Sequence, residues 1–173
     1  MFSKRIPRPG YTDGLRQMDD YLYQMIQMRR ANLGEANDLL GILITSGMDD
    51  HLIRDQLLTM LIAGHDTSTA LLSWALYLLG KHPAVMEKAR AEVNSVLGDE
   101  IPTLEQVAGL RYLDQIVDET MRLYPPIHLG SRVAAVDLDF QGYTIPAGTR
   151  VMYSIFLTQR MPQYWDDPDA FKP

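Results

Sequence analysis

LLTMLIAGHDTSTALLSWALYLL, running from Leu57 to Leu79, is the stretch whose reading decides the fold. It is mostly apolar and long enough to cross a bilayer. Its centre, His65-Asp66-Thr67-Ser68-Thr69, argues against that reading, because an Asp at a bilayer centre costs about 3 kcal/mol. A helix apolar on nearly all sides instead belongs at the centre of a large soluble core. Asp49-Asp50 offer carboxylates to the free amides of a first turn. Gly80 ends the pattern, which gives a helix of roughly 45 Å at 1.5 Å per residue. The other elements must wrap around it.

Upstream, residues 1–14 are broken by Pro7 and Pro9, lack the apolar run of a signal peptide and read as irregular. A helical period from Leu15 to Ala31 puts Met18, Leu22, Met25 and Met28 on one face, with Arg29-Arg30 at the C-terminal end. A short helix from Glu35 to Thr45 closes at Ser46-Gly47. Downstream, Pro83 opens a helix that Gly98 stops, and Thr103 with Gln106 forms a capping box. The helix Tyr112 to Tyr124 ends at Pro125-Pro126.

The period then falls to two. Val136, Leu138 and Phe140 alternate with Asp137, Asp139 and Gln141 in a half-exposed strand. Gln141-Gly142 predicts a hairpin turn into Tyr143 to Ile145, and Pro146-Ala147-Gly148 a second turn before a more buried strand, Arg150 to Phe156. The remaining residues carry three prolines and little regular structure. Helices to residue 124 and a small sheet with loops over 125–173 make a mainly α, α+β fold in one domain.

Composition narrows the function. The 173 residues are 46% hydrophobic and 22% charged, which excludes a disordered chain. Sixteen basic against 22 acidic residues, 16 − 22 = −6, speak against a nucleic-acid partner. With no cysteine there is no disulfide framework, thiolate zinc site or cysteine nucleophile, which fits a reducing, intracellular compartment. None of His51, His65, His82 and His128 has an i+3 or i+4 partner that would make a metal-ligand pair. Nucleophile elbows, phosphate-cradling glycine loops and dinucleotide fingerprints are absent from the sequence.

Two constellations remain. Ala63-Gly64-His65-Asp66-Thr67 interrupts the most apolar helix with poor helix formers, and such local violations mark functional sites. Two small side chains let a bulky group approach the backbone. The Thr67 hydroxyl is placed to donate to that group or to bond the Ala63 carbonyl one turn back, and the Asp66 carboxylate to relay protons. A helix crossing at small residues, with a hydrated Asp66, explains the same pattern. Glu119 and Arg122 form an i,i+3 pair, with Asp118 also in reach of Arg122; on a surface such a pair is worth only about 0.2–0.5 kcal/mol.

Taken together these segments resemble the cytochrome P450 family of haem-thiolate monooxygenases. Ala63-Gly64-His65-Asp66-Thr67 matches its A/G-G-x-D/E-T signature, and Glu119-Thr120-Met121-Arg122, leading into Leu123-Tyr124-Pro125-Pro126, matches its E-x-x-R helix. Gly142 to Thr149 resembles the hairpin that follows, and Asp167 to Pro173 the approach to the haem loop. Order and spacing agree over about residues 15–173.

The resemblance implies a haem b cofactor, with Ala63 and Gly64 against its distal face and Arg132 on a propionate. It implies Asp66 and Thr67 as the acid–alcohol pair of proton delivery, Glu119 and Arg122 as a buried structural ion pair, and Ile62, Leu71, Ile127 and Leu129 as substrate-pocket residues. The implied partners are dioxygen, a small apolar organic substrate and an NAD(P)H-linked reductase or ferredoxin. The family's axial ligand is a cysteine thiolate, and this sequence contains none. The expectation is therefore a fragment running from the helices before the long central one to just before the cysteine loop: an incomplete domain, inactive alone, that does not hold haem stably. No membrane anchor or signal peptide is expected within the chain. The competing expectation is a non-enzymatic helical module whose small residues serve packing or partner binding.

Overall fold

The computed structural model describes residues 10–34, 36–97 and 101–173. Glu35 and Gly98, the predicted start of the second helix and stop of the fourth, lie outside them. The order is α1 (Tyr11–Ala31), α2 (Leu39–Thr45), α3 (Asp50–Lys81), α4 (Pro83–Val96), α5 (Leu104–Ala108) and α6 (Arg111–Leu123). Then follow β1 (Leu129–Val133), β2 (Leu138–Phe140), β3 (Tyr143–Ile145), β4 (Arg150–Ser154) and α7 (Ile155–Thr158). The chain divides into two compact units, one ending at His65 and one running from Asp66 to Pro173, with α3 continuous through the division.

In the first unit α1 starts at Tyr11, ahead of the expected Leu15. Gly10 stands in the left-handed region at φ 79°, and its carbonyl accepts the Gly14 amide at 2.8 Å, so the glycine is absorbed into the first turn. The core-facing stripe also differs from the expected one. Leu22 and Ile26 are buried while Met18, Met25 and Met28 are exposed. The reason is where the neighbours sit: Ile26 packs in one cluster with Leu43 and Ile44 of α2 and Ile53 of α3. The second helix begins at Leu39, later than Glu35, because Asp38 caps it by accepting the Gly41 amide at 2.8 Å. Asp49 does the same for the Leu52 amide at 2.8 Å. Arg30 ties the end of α1 to Asp50 at 2.7 Å and to the Met48 carbonyl at 2.8 Å, and Arg54 pairs with Asp19 and Asp55. His51 does have an i+4 partner, Asp55 at 3.5 Å, on an exposed surface.

The second unit is built on Leu78 and Leu79 of α3, Ala89 of α4, Tyr112, Ile116 and Leu123 of α6, and Phe171. The Trp74 ring stacks on Tyr124 at 3.9 Å between centroids and 5° between planes, which fastens α3 to the end of α6. Both bonds of the Thr103–Gln106 capping box are present. Gln141 and Gly142, at φ 49° and 84°, join β2 to β3; two successive positive φ values are what a type I′ hairpin turn requires.

Four strand expectations are corrected. Leu129–Val133 forms an unanticipated strand, β1, antiparallel to β4. The strands make two separate two-stranded sheets. The strand from Arg150 stops at Ser154, short of Phe156, because the Ser154 hydroxyl accepts the Leu157 amide at 3.1 Å and opens α7; β4 is also largely exposed.

No helix of the described residues is long and apolar enough to cross a membrane. Met60, Leu61, Ile62, Leu72 and Leu76 of α3 are exposed, so the described residues do not supply the covering expected around this helix.

Candidate active site

α6 is amphipathic, with Tyr112, Ile116, Thr120 and Leu123 on its buried face. Glu119 and Arg122, one turn apart, fall beside that face rather than opposite it. Their side chains are 12% and 6% exposed, so the pair is buried, unlike the surface pair that its spacing by itself suggests. Arg122 Nε donates to Glu119 Oε2 at 2.6 Å and Nη2 to Oε1 at 2.8 Å. Nη1 donates to the carbonyls of Gln159 at 3.0 Å and Pro168 at 2.7 Å, and Nη2 to that of Ala170 at 2.9 Å. All five N–H groups of the guanidinium thus have an acceptor, and its face lies over the Trp165 ring at 4.8 Å.

Glu119 Oε1 also accepts the Lys172 amide at 2.9 Å. Burial acts most strongly on the Glu119 carboxyl and pushes it up. The hydrogen bonds from Arg122 and the Lys172 amide, with the two positive charges, together outweigh burial and hold it below its ordinary value. The pair therefore anchors residues 159–172, which have little periodic structure of their own, to a rigid helix.

A cleft of ≈ 550 Å³ opens beside this anchor, lined by Thr67 of α3, Asp118, Met121 and Arg122 of α6, Ile127 and Trp165. Of the residues singled out in the sequence, Thr67, Arg122 and Ile127 meet here; Leu71, Leu129 and Arg132 do not line it. Leu71 is half-buried along α3, and Leu129 is exposed on β1. Arg132 borders a second hollow of ≈ 340 Å³ with Val133, Leu138 and Phe140. Ile62, Ala63 and Gly64 precede the division of α3, Ile62 being 54% exposed.

Sequence reasoning missed Trp165 and the three carbonyls on Arg122. A signal existed for the carbonyls: a buried guanidinium needs about five acceptors, and Glu119 offers two oxygens.

The cytochrome P450 family profile matches residues 10–173. The chain belongs to the cytochrome P450 family. It is 45% identical over 153 residues to the chloroplastic cytochrome P450 97B1 of Pisum sativum, covering 83% of this chain and 28% of that protein. It is 33% identical over 180 residues to cyclooctat-9-en-7-ol 5-monooxygenase of Streptomyces melanosporofaciens, covering 98% and 39%. The solved structure of retinoic acid-bound cyanobacterial CYP120A1 superposes with a TM-score of 0.90 at 32% identity, covering 98% and 42%. The chain thus spans between about a quarter and two-fifths of the length of these P450 relatives.

Haem is the cofactor the family implies, and two features of this chain fit its periphery. A Cβ built on Gly64 would meet nothing within 4 Å, and Leu61 and Ile62 beside it are exposed, so a flat apolar group can reach the helix backbone there. Arg132 has no carboxylate partner among the described residues, which suits an acidic substituent. The iron-ligating thiolate is not among these 173 residues, which include no cysteine.

Proposed function

We propose that these residues form the distal helix and the E-x-x-R anchor of a haem-dependent monooxygenase. The whole protein inserts one atom of dioxygen into a small apolar organic substrate, with electrons from an NAD(P)H-linked reductase or ferredoxin. The observation that carries this reading is the position of Thr67. It lies one residue after Asp66 in an unbroken 32-residue helix and lines the cleft with Arg122 and Ile127.

The haem, when bound, supplies the oxidising chemistry. Ala63 and Gly64 give it a side-chain-poor stretch of helix to pack against, and Arg132 holds a propionate by a charge-assisted bond. Thr67 donates its hydroxyl proton toward the oxygen-binding space, and Asp66, through water, restores that proton. Ile62, Leu71, Ile127 and Leu129 present apolar surface to the substrate and exclude water. Glu119 and Arg122 act at a distance, by holding the 159–172 segment in place.

The test uses the full-length protein with T67A and D66N. Product formed per electron consumed falls by about 10²-fold, the usual scale of a positioned proton donor, while NAD(P)H oxidation continues. An unchanged ratio in T67A refutes the role of Thr67. The 173-residue chain alone, titrated with haemin and reduced under carbon monoxide, gives no thiolate-type Soret band; such a band would refute its incompetence.

A further inference from the structure

Gly130 of β1 stands directly opposite Tyr153 of β4. A Cβ built on Gly130 would clash with the phenol end of Tyr153, against Cζ, the hydroxyl oxygen and Cε2. The phenol therefore folds across β1 and fills the volume that any side chain at 130 would need. A glycine weakens a strand because it has nothing to pack, and an aromatic ring laid over it restores that packing.

The consequence is register. β1 reads Leu129-Gly130-Ser131-Arg132-Val133, with one glycine. Shifting β4 by one residue would set the Tyr153 ring against Leu129 or Ser131, where a side chain already occupies the space. In the observed register, with Arg132 opposite Val151, the ring lies over the one residue of β1 that has no side chain. Side chains alternate along a strand, so Arg132 shares a face with Gly130 while Leu129 and Ser131 take the other. A one-residue slip would carry Arg132 to the wrong face. Side-chain burial specifies this pairing only weakly: β1 has no alternating apolar pattern, and both strands are largely exposed, while backbone bonds from the Ala134 amide to Thr149 at 2.9 Å and from the Phe156 amide to His128 at 3.3 Å continue it at either end.

We propose that Tyr153 is a positioning residue for Arg132: its ring, seated on Gly130, fixes the β1–β4 register that presents the guanidinium to the cofactor. The inference rests on the reading of Arg132 as a propionate ligand. Tyr153 touches neither substrate nor cofactor in this role, and its hydroxyl is dispensable.

The experiment compares Y153F, Y153A and R132A in the full-length haem protein. Two quantities are read: hydrogen exchange of the β1 and β4 amides, and the rate of haem transfer to apomyoglobin. Y153A accelerates both by about tenfold, the scale of a lost aromatic contact. Y153F, which keeps the ring, leaves both unchanged. R132A accelerates haem transfer alone, and the Y153A/R132A double variant releases haem no faster than R132A. Should Y153A not fold, Y153L, which keeps apolar bulk without a flat ring, carries the same expectation. Unchanged β1 exchange in Y153A, a Y153F that behaves like Y153A, or additive haem release in the double variant overturns the proposal. Unchanged haem transfer in R132A removes the role of Arg132 instead, and β1 exchange then reports on the register by itself.

Discussion

Glu92 of α4 caps the first turn of α6: its Oε1 accepts the Tyr112 amide at 2.8 Å and its Oε2 the Leu113 amide at 2.9 Å. The residue just before α6 is Leu110, which offers no side-chain cap of its own. A carboxylate from a neighbouring helix supplies the acceptors instead, and places negative charge at the positive end of the α6 dipole. Lys88, one turn earlier on α4, lies over the Tyr112 ring at 3.7 Å.

E92Q keeps the shape but loses the charge and one of the two acceptors. It lowers stability by about 1 kcal/mol, and E92A by up to about 2 kcal/mol, the range of lost helix caps. Denaturant unfolding of the full-length protein measures both; a neutral E92A would show that water caps α6 equally well.

Arg122 is not replaceable by lysine. An ammonium has three donors and no planar fork, so R122K leaves two of the five acceptors around Arg122 without a partner and abandons the Trp165 face. R122K and R122A both destabilise, R122A by about 3–5 kcal/mol because Glu119 is left as an uncompensated buried charge. Protease sensitivity of the chain between Gln159 and Lys172, which Arg122 pins through three carbonyls, rises in parallel. Equal stability of R122K and wild type would contradict the five-bond account.

The pair also sets a pH dependence. The folded-state value of Glu119 lies below its ordinary 4.5, so between the two values the unfolded chain binds more protons than the folded one. Stability therefore rises with pH through that window. The contribution is complete above about pH 4.5 and disappears as pH falls through the lower folded value. E119Q removes this acid limb and is less stable at neutral pH. An acid limb of unchanged slope in E119Q would assign it to other carboxylates.

Gly41 and Gly64 are both helical, and alanine has opposite effects at the two. A Cβ at Gly41 would stand 2.8 Å from the Ala36 Cα, a backbone atom that cannot swing aside. G41A therefore destabilises by about 1–3 kcal/mol, as overpacking does. At Gly64 there is open space, and G64A gains about 0.5–1 kcal/mol from helix propensity. On the proposed packing of haem against Gly64, the added methyl would occupy the cofactor's place, so G64A stabilises the polypeptide while weakening haem retention. Thermal unfolding and haem content, measured together, check both signs.

The candidate site divides along the same physical line as these predictions. The spacing of Glu119 and Arg122 and the polar break at residues 63–67 were legible in the sequence, as was the long helix carrying that break. The burial of the pair was not legible in its spacing, since i,i+3 spacing is the same on a surface as in a core; only the family resemblance implied it. Trp165 and the carbonyls of Gln159, Pro168 and Ala170 lie 37–48 residues from Arg122 or in an aperiodic segment, beyond the reach of any local pattern.

Chain-local interactions account for what the sequence determined by itself. The Thr103–Gln106 box, the proline start of α4, the Gln141-Gly142 turn and the extent of α3 all depend on residues within a few positions of one another. Tertiary structure decided everything that depends on distant partners. It chose which face of α1 is buried, because the position of α2 and α3 selects Leu22 and Ile26 over the methionines. It made β1 a strand, because Leu-Gly-Ser-Arg-Val has no strand pattern of its own and is extended by its pairing with β4. It capped α6 with a carboxylate from α4. A short-range pattern fixes the backbone's local conformation, but burial and hydrogen-bond partners are properties of the assembled surface that each residue meets.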